Sequence, residues 1–278
     1  MIQKILVAVD FSKGSAAALR YAEALAGELD IRELRIVHIF TPQTVATGDA
    51  MTAVPVGELM DAREDALNEF LKTQPTPTGI RRSSELLLGF PSDKLVEESK
   101  QYDLLVLGAT GDADVLESVF GSIASEVAQK AACPVLLVPK GAVFHPYRHL
   151  LYASSSLSLS RRAVLKLMDF NELFRARIHF VHVNGDDAES RREREKLFAP
   201  LFNNPDPEFA FEIVEVTAGS VREGLVTYMQ ANRIDLAVMV TEHRGFWEAL
   251  FHKSATKQMI LHPEVPVLVF HTKEGGGV

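Results

Sequence analysis

Four residues have types and spacing suited to holding an anion: Gly108, Gly111, Gly121 and Ser122. They stand as Gly108-Ala-Thr-Gly111, then nine residues, then Gly121-Ser122. Glycine has no Cβ, so Gly108 and Gly111 let a backbone come close to a ligand and accept positive φ. Gly121-Ser122 falls where the sequence predicts a helix to begin. A helix start presents unpaired N–H groups and a positive dipole end, both suited to phosphate oxygens. The Ser122 hydroxyl adds a donor. Two such turns nine residues apart can clasp successive phosphates. Asp10 is a further candidate, directly after the apolar run Ile5-Leu-Val-Ala-Val9.

These residues need a scaffold, and the chain alternates strand-like and helix-like segments. Ile5–Val9 reads as a strand buried on both faces. Ser15–Leu29 has a helical apolar period, and Leu34–Phe40 is the next strand. Residues 41–57, with Pro42, Gly48, Pro55 and Gly57, read as a long loop. A helix over Glu58–Lys72, a strand over Ser83–Leu88 and a helix over Ser92–Gln101 follow. Then come a strand over Asp103–Leu107, a helix over Gly121–Ala131 and a strand over Pro134–Val138. Such alternation predicts a parallel sheet covered on both faces. Ligands of such sheets bind beyond the carboxyl ends of strands where the strand order switches. Here those ends are Asp10, Ile39-Phe40 and Gly108.

After a break at Lys140–Tyr147 the pattern restarts. Lys4–Ser12 aligns with His149–Leu157, and Ile36–Ile39 with Phe180–Val183. Asp103–Leu107 aligns with Asp235–Met239 and Pro134–Val138 with Pro266–Phe270, both at an offset of 132. Four ordered matches mark an internal repeat. The fold class expected is α/β, with two tandem doubly wound five-stranded parallel-sheet domains, Rossmann-like, at residues 1–140 and 147–273. The last strand of each half is apolar on both faces and should lie at its sheet's edge, so it needs a partner. Pairing the two halves there would make an internal pseudo-dimer. A homodimer of the whole chain is the other arrangement considered.

The glycine spacing sits among the opening Lys4-Ile-Leu-Val-Ala-Val-Asp10, the Val37-His-Ile39 strand end and Cys133-Pro-Val-Leu-Leu-Val-Pro139. Together these resemble the universal stress protein family, end to end in the first half and more loosely in the second. ATP-binding members have G-x2-G-x9-G-[ST] at this place. The resemblance implies an adenine nucleotide alpha hydrolase-like fold and ATP held in the first half by Asp10, Ile39, Gly108, Gly111, Gly121 and Ser122. Asp10 would contact the nucleoside, and the backbone of Ile39 would abut adenine. It further implies a stress-response regulatory or sensor protein with an unidentified protein partner. Single-domain members dimerise in a way similar to the pairing expected between the two halves.

Two features depart from that pattern. Asp112, Asp114 and Glu117 follow the second glycine, and carboxylates near a triphosphate repel it unless a cation such as Mg²⁺ or Mn²⁺ intervenes, they point away, or the ligand carries less charge. In the second half, Val240, His243 and Lys253 stand where Gly108, Gly111 and Gly121 do, and Ser155 replaces Asp10. Only Ser254 keeps its type. That half is expected not to bind ATP in the same way, although His243, Arg244 and Lys253 could attract some anion. Phe246 and Trp247 are read as filling the vacated pocket.

No catalytic constellation emerges, so no catalytic residue and no resident metal site are assigned. A binding protein is expected rather than an enzyme. The rivals are a weak Mg- or Mn-dependent ATPase with Asp112 or Asp114 on the metal, and an interaction protein that binds no nucleotide. His38 and His182 read as core histidines and Cys133 as a buried thiol. Glu189–Lys196 reads as a solvated helix face and Gly275–Gly277 as a flexible tail. The net charge of −8 and pI of about 5.6 argue against general nucleic-acid binding. A single cysteine excludes an intrachain disulfide. No signal peptide or long apolar stretch is seen, so no membrane association and a cytoplasmic location are expected.

Overall fold

The protein is described from a computed structural model covering residues 2–42, 46–47, 50–51, 55–75, 79–110, 121–154, 161–183, 210–240 and 265–271. In the first half the strands are β1 (Ile5–Ala8), β2 (Glu33–Phe40), β5 (Arg81–Leu88), β6 (Leu104–Gly108) and β7 (Val135–Val138). The helices are α1 (Lys13–Glu28), α2 (Val56–Thr73), α3 (Pro91–Glu98) and α4 (Ser122–Lys130). A small antiparallel ribbon, β3 (Ala46–Thr47) with β4 (Ala50–Met51), lies within the segment read as a plain loop. The second half holds β8 (His149–Ser154), α5 (Arg161–Asn171), β9 (Arg177–Val183), β10 (Phe211–Val216), α6 (Val221–Asn232), β11 (Leu236–Val240) and β12 (Val267–Phe270).

Ten strands form one sheet in the order β10-β9-β8-β11-β12-β7-β6-β1-β2-β5. All neighbours are parallel except β7 and β12, which run antiparallel with Val267 opposite Leu137 and Val269 opposite Val135. The apolar edge that each half would expose alone is thus covered by the other. Both strands are fully buried, which explains why neither alternates polar with apolar residues. Within each half the chain order reverses at its first strand, the signature of a doubly wound sheet.

Local sequence explains the elements. Ser12 is the N-cap of α1, its side chain accepting from Ser15 N–H. This starts the helix at Lys13, before the apolar period begins. Ala17, Ala18, Ala22 and Ala26 line its buried face, and their small size lets the helix lie close to the sheet. Strand β5 opens with Arg81-Arg-Ser-Ser-Glu85 because it is an edge strand, polar where it meets water. Pro91 occupies the first turn of α3, where a missing N–H costs nothing. The capping pattern Ser220-Val-Arg-Glu223 starts α6, with Glu223 N–H donating to Ser220 Oγ.

The segment between the halves is structural. Tyr147 is buried, its hydroxyl lies 3.0 Å from that of Tyr21 on α1, and its ring meets Phe170 and Phe174 of the second half. One apolar cluster therefore runs through both halves on that face of the sheet. Across the other face, His271 beyond β12 donates Nε2–H to Ala128 O of α4 at 2.8 Å, and Lys166 Nζ donates to its carbonyl. Burial holds the His271 imidazole below its usual pKa, so it is neutral in the fold. The unfolded chain then takes the proton first as pH falls. The contribution is complete above the unfolded value of about 6.5 and is lost as pH falls toward the lower folded value. Burial likewise holds the His38 imidazole below its usual pKa, which adds to this trend. Thermal unfolding at graded pH should show the midpoint falling below about pH 6.5. His271→Gln keeps a donor for Ala128 and should flatten the dependence; an unchanged slope would count against His271.

Candidate functional site

Beyond the carboxyl ends of β1 and β6, at the reversal of strand order, lies a cavity of about 340 Å³. Asp10, Ile39, Gly108, Gly121 and Ser122 all line it. Gly111 lies outside the described residues, as do Asp112, Asp114 and Glu117. The residues singled out by spacing are thus brought together as far as the described structure reaches.

Three elements build the polar side. The first is the turn after β1. Asp10 Oδ1 accepts from Ser12 N–H at 3.1 Å, and Asp10 N–H donates to Ser15 Oγ at 3.3 Å. Phe11 between them has φ 67°, which a side chain adopts only at a cost. Its ring compensates by stacking on His38 at 4.1 Å, while His38 Nδ1–H donates to Val9 O. This network keeps Asp10 at the cavity wall. The second element is the start of α1, already closed: Ser12 Oγ takes the Ser15 N–H, and Thr110 O sits against Gly14.

The third element is the start of α4, which is open. Gly121 is its N-cap and makes no side-chain cap bond. The Gly121 N–H donates to Ala109 O at 2.8 Å, fixing the helix start beneath the β6 loop. Ser125 N–H returns to Gly121 O, which leaves Ser122, Ile123 and Ala124 N–H without an intrahelical acceptor. All three residues line the cavity. At α1 the Ser15 N–H is taken by Ser12 Oγ, whereas all three free N–H groups of α4 belong to residues that line the cavity, with the positive dipole end behind them. The opposite wall is apolar, with Val37 and Ile39 of β2, Leu95 of α3 and Leu107 of β6. No Lys or Arg is among the described lining residues and Asp10 is the sole carboxylate, so anion binding here rests on N–H and hydroxyl donors.

Gly108 lines the cavity, but its missing side chain has an internal cause. A Cβ there would lie 2.8 Å from Gly14 C and 3.0 Å from Gly14 O and Ser15 N. A Cβ on Gly14 would in turn lie 2.2 Å from Thr110 O. The two glycines let the first turn of α1 seat directly on the end of β6. Because the obstructing atoms are backbone, they cannot rotate away. Gly108→Ala is therefore expected to destabilise the protein by about 1–3 kcal/mol. Chemical denaturation should show a lowered midpoint with unchanged slope, and an unshifted midpoint would contradict this packing.

Sequence reading missed Ser12, Ser15, Gly14 and Leu95. The pattern Asp10-Phe-Ser12 ahead of a helix is a capping signal that could have flagged Ser12. Gly14 gives no such signal, since its need arises from a residue distant in sequence. In the second half Val240 is buried where Gly108 stands in the first, so a side chain fills that position. Ser155, His243, Arg244, Phe246, Trp247, Lys253 and Ser254 lie outside the described residues, as do Glu189–Lys196 and Gly275–Gly277. His182 is buried on β9. Cys133 is buried and its thiol is pushed up to about 12 by desolvation, which leaves it protonated. No group of three or more His, Cys, Asp or Glu side chains placed to hold a metal ion occurs among the described residues, and no described helix is long and apolar enough to cross a membrane.

The model of the universal stress protein family matches residues 1–139 and again 146–271. The chain belongs to the universal stress protein family. Among curated members, YxiE of Bacillus subtilis is 31% identical over 148 residues, 50% of this chain and 99% of that protein. MJ0531 of Methanocaldococcus jannaschii is 29% identical over 142 residues, 50% of this chain and 84% of that protein. Each such match thus corresponds to half of this chain, as a tandem arrangement requires. The crystal structure of a universal stress protein from Archaeoglobus fulgidus aligns with 97% of this chain and 98% of its own at a TM-score of 0.68. At 16% identity that likeness speaks for the fold alone.

Proposed function

We propose that the first half binds one adenine nucleotide, ATP, and that the chain is a regulatory or sensor protein of a stress response. The observation that carries this reading is the uncapped start of α4, opening onto a cavity at the strand-order switch. Its free N–H groups and the Ser122 hydroxyl suit phosphates, the apolar wall of Val37, Ile39 and Leu95 suits a base, and Asp10 suits a ribose hydroxyl. The resemblance in glycine spacing supports the same assignment. A Mg²⁺ or Mn²⁺ ion accompanying the nucleotide would rest mainly on phosphate oxygens, because Asp10 is the one carboxylate among the described lining residues. The second half, with Val240 in place of a glycine, would serve as scaffold or partner platform in an internal pseudo-dimer.

Mass analysis of small molecules released from freshly purified, denatured protein tests this reading. An adenine nucleotide is expected. Release of none, with no uptake of added ATP, would leave a protein that works through interactions alone.

A further inference from the structure

A cluster of titratable groups built around the buried His179, with His149, Glu212 and Tyr228 half-buried about it, lies at the other end of the sheet, in the second half. It plays no part in the nucleotide reading and does not depend on it. His149 opens β8, His179 lies on β9 and Glu212 on β10, all on the face covered by α6, which contributes Tyr228. His149 Nδ1 is 3.0 Å from His179 Nε2. His179 Nδ1 is 2.9 Å from the Tyr228 hydroxyl and 2.6 Å from Glu212 Oε1.

The hydrogen-bond inventory fixes the protons. The Tyr228 hydroxyl has one proton, and it bonds Glu212. It must therefore accept from His179, which places a proton on His179 Nδ1. His179 Nε2 is then an acceptor, and His149 Nδ1–H donates to it. One added proton fits, shared by the imidazole pair across the 3.0 Å contact and faced by the Glu212 carboxylate. A second does not, because it sets N–H against N–H across 3.0 Å and puts two cations side by side. The surroundings give little relief. Arg177 on β9 adds a further positive charge that acts on His179. Asp235 of the β11 entry is engaged by the N–H groups of Arg148 and His149 and lies 3.7 Å from His145.

The first half supplies a control within the same molecule. The alignment of Val37 with Val181 places Arg35 at the position of His179. Arg35 pairs with Glu85 of the neighbouring strand and bonds Tyr102. The two halves thus build a similar polar knot, but the first uses a cation that never titrates near neutrality and the second uses imidazoles that do.

We propose that His149, His179, Glu212 and Tyr228 form an acid-operated latch that holds α6 to β9 and β10 and lets go when two protons enter the imidazole pair. His179 is nearly fully buried, and desolvation, its largest influence, holds its pKa below the usual value. Release therefore lies on the acid side of about pH 6.5.

Hydrogen exchange of the full chain, read by mass spectrometry from about pH 7.5 to about pH 5 and corrected for intrinsic rates, tests the latch. Protection over residues 211–232 should fall by up to about tenfold per pH unit, the mark of the one further proton that the closed cluster cannot hold, and more steeply than protection over residues 81–102. His179→Arg, which copies the first half's permanent pair, should remove the dependence. If that variant does not fold, His149→Gln replaces it. Its amide can turn to accept a proton from His179 and should also keep α6 protected at low pH. Steady protection in the wild type, an equal loss in both halves, or an unchanged loss in the variant that folds would overturn the proposal.

Discussion

The Gly121→Val protein is expected to fold with wild-type stability to within about 1 kcal/mol and to bind ATP at least about a hundredfold more weakly. Both parts follow from the geometry of one residue. Gly121 sits at φ −63°, ψ 159°, an extended conformation open to any residue, so a side chain adds no backbone strain. Valine is a poorer N-cap than glycine, and that limits the cost to the α4 start. The same position lines the cavity next to the free N–H groups of Ser122, Ile123 and Ala124. A branched side chain there stands where an anion would approach the helix end. Calorimetric titration of variant and wild type, beside their denaturation curves, checks both statements. Unchanged affinity in a folded variant would remove α4 from the site.

Arg82→Met is expected to have the largest effect on stability, about 3–5 kcal/mol. Glu23 is 1% exposed on α1, and Arg82 of β5 meets it with Nε 2.5 Å from Oε1. The same guanidinium donates to Leu71 O and Gln74 O at the end of α2 and to Pro75 O beyond it. Removing Arg82 strands a buried carboxylate and takes a donor from three carbonyls together, of which Leu71 O keeps the Gln74 N–H. The double change Glu23→Leu with Arg82→Met should recover part of the loss, since it takes away the stranded charge as well. Denaturant midpoints of the three proteins decide the matter. A single variant within about 1 kcal/mol of wild type would mean that the pair holds nothing in place.

The fold was readable where a segment's own pattern matches its surroundings. Ile5–Ala8 and Val135–Val138 are continuous apolar runs because each is flanked by strands and covered on both faces. Strand β5 was read short, from Ser83, because its first residues answer to the sheet edge rather than to the core. Helix α1 begins earlier than its apolar period because Ser12, not periodicity, starts it. At the candidate site, spacing identified the residues but not the reasons for each. Gly108 is glycine because Gly14 presses on it, a contact between distant segments that no local pattern reveals. The role of His179 was equally hidden, since its partners come from three other elements.

The proposed function requires one half of the chain to hold a nucleotide and the other not to. Calorimetric titration of the nucleotide-stripped full chain with ATP, with and without Mg²⁺, tests that most directly. The expected result is saturation at about one ATP per chain, lost in Gly121→Val. Two per chain would contradict the reading that the second half, with Val240, His243 and Lys253 at the glycine positions, does not bind ATP in the same way, and no binding would contradict the site itself.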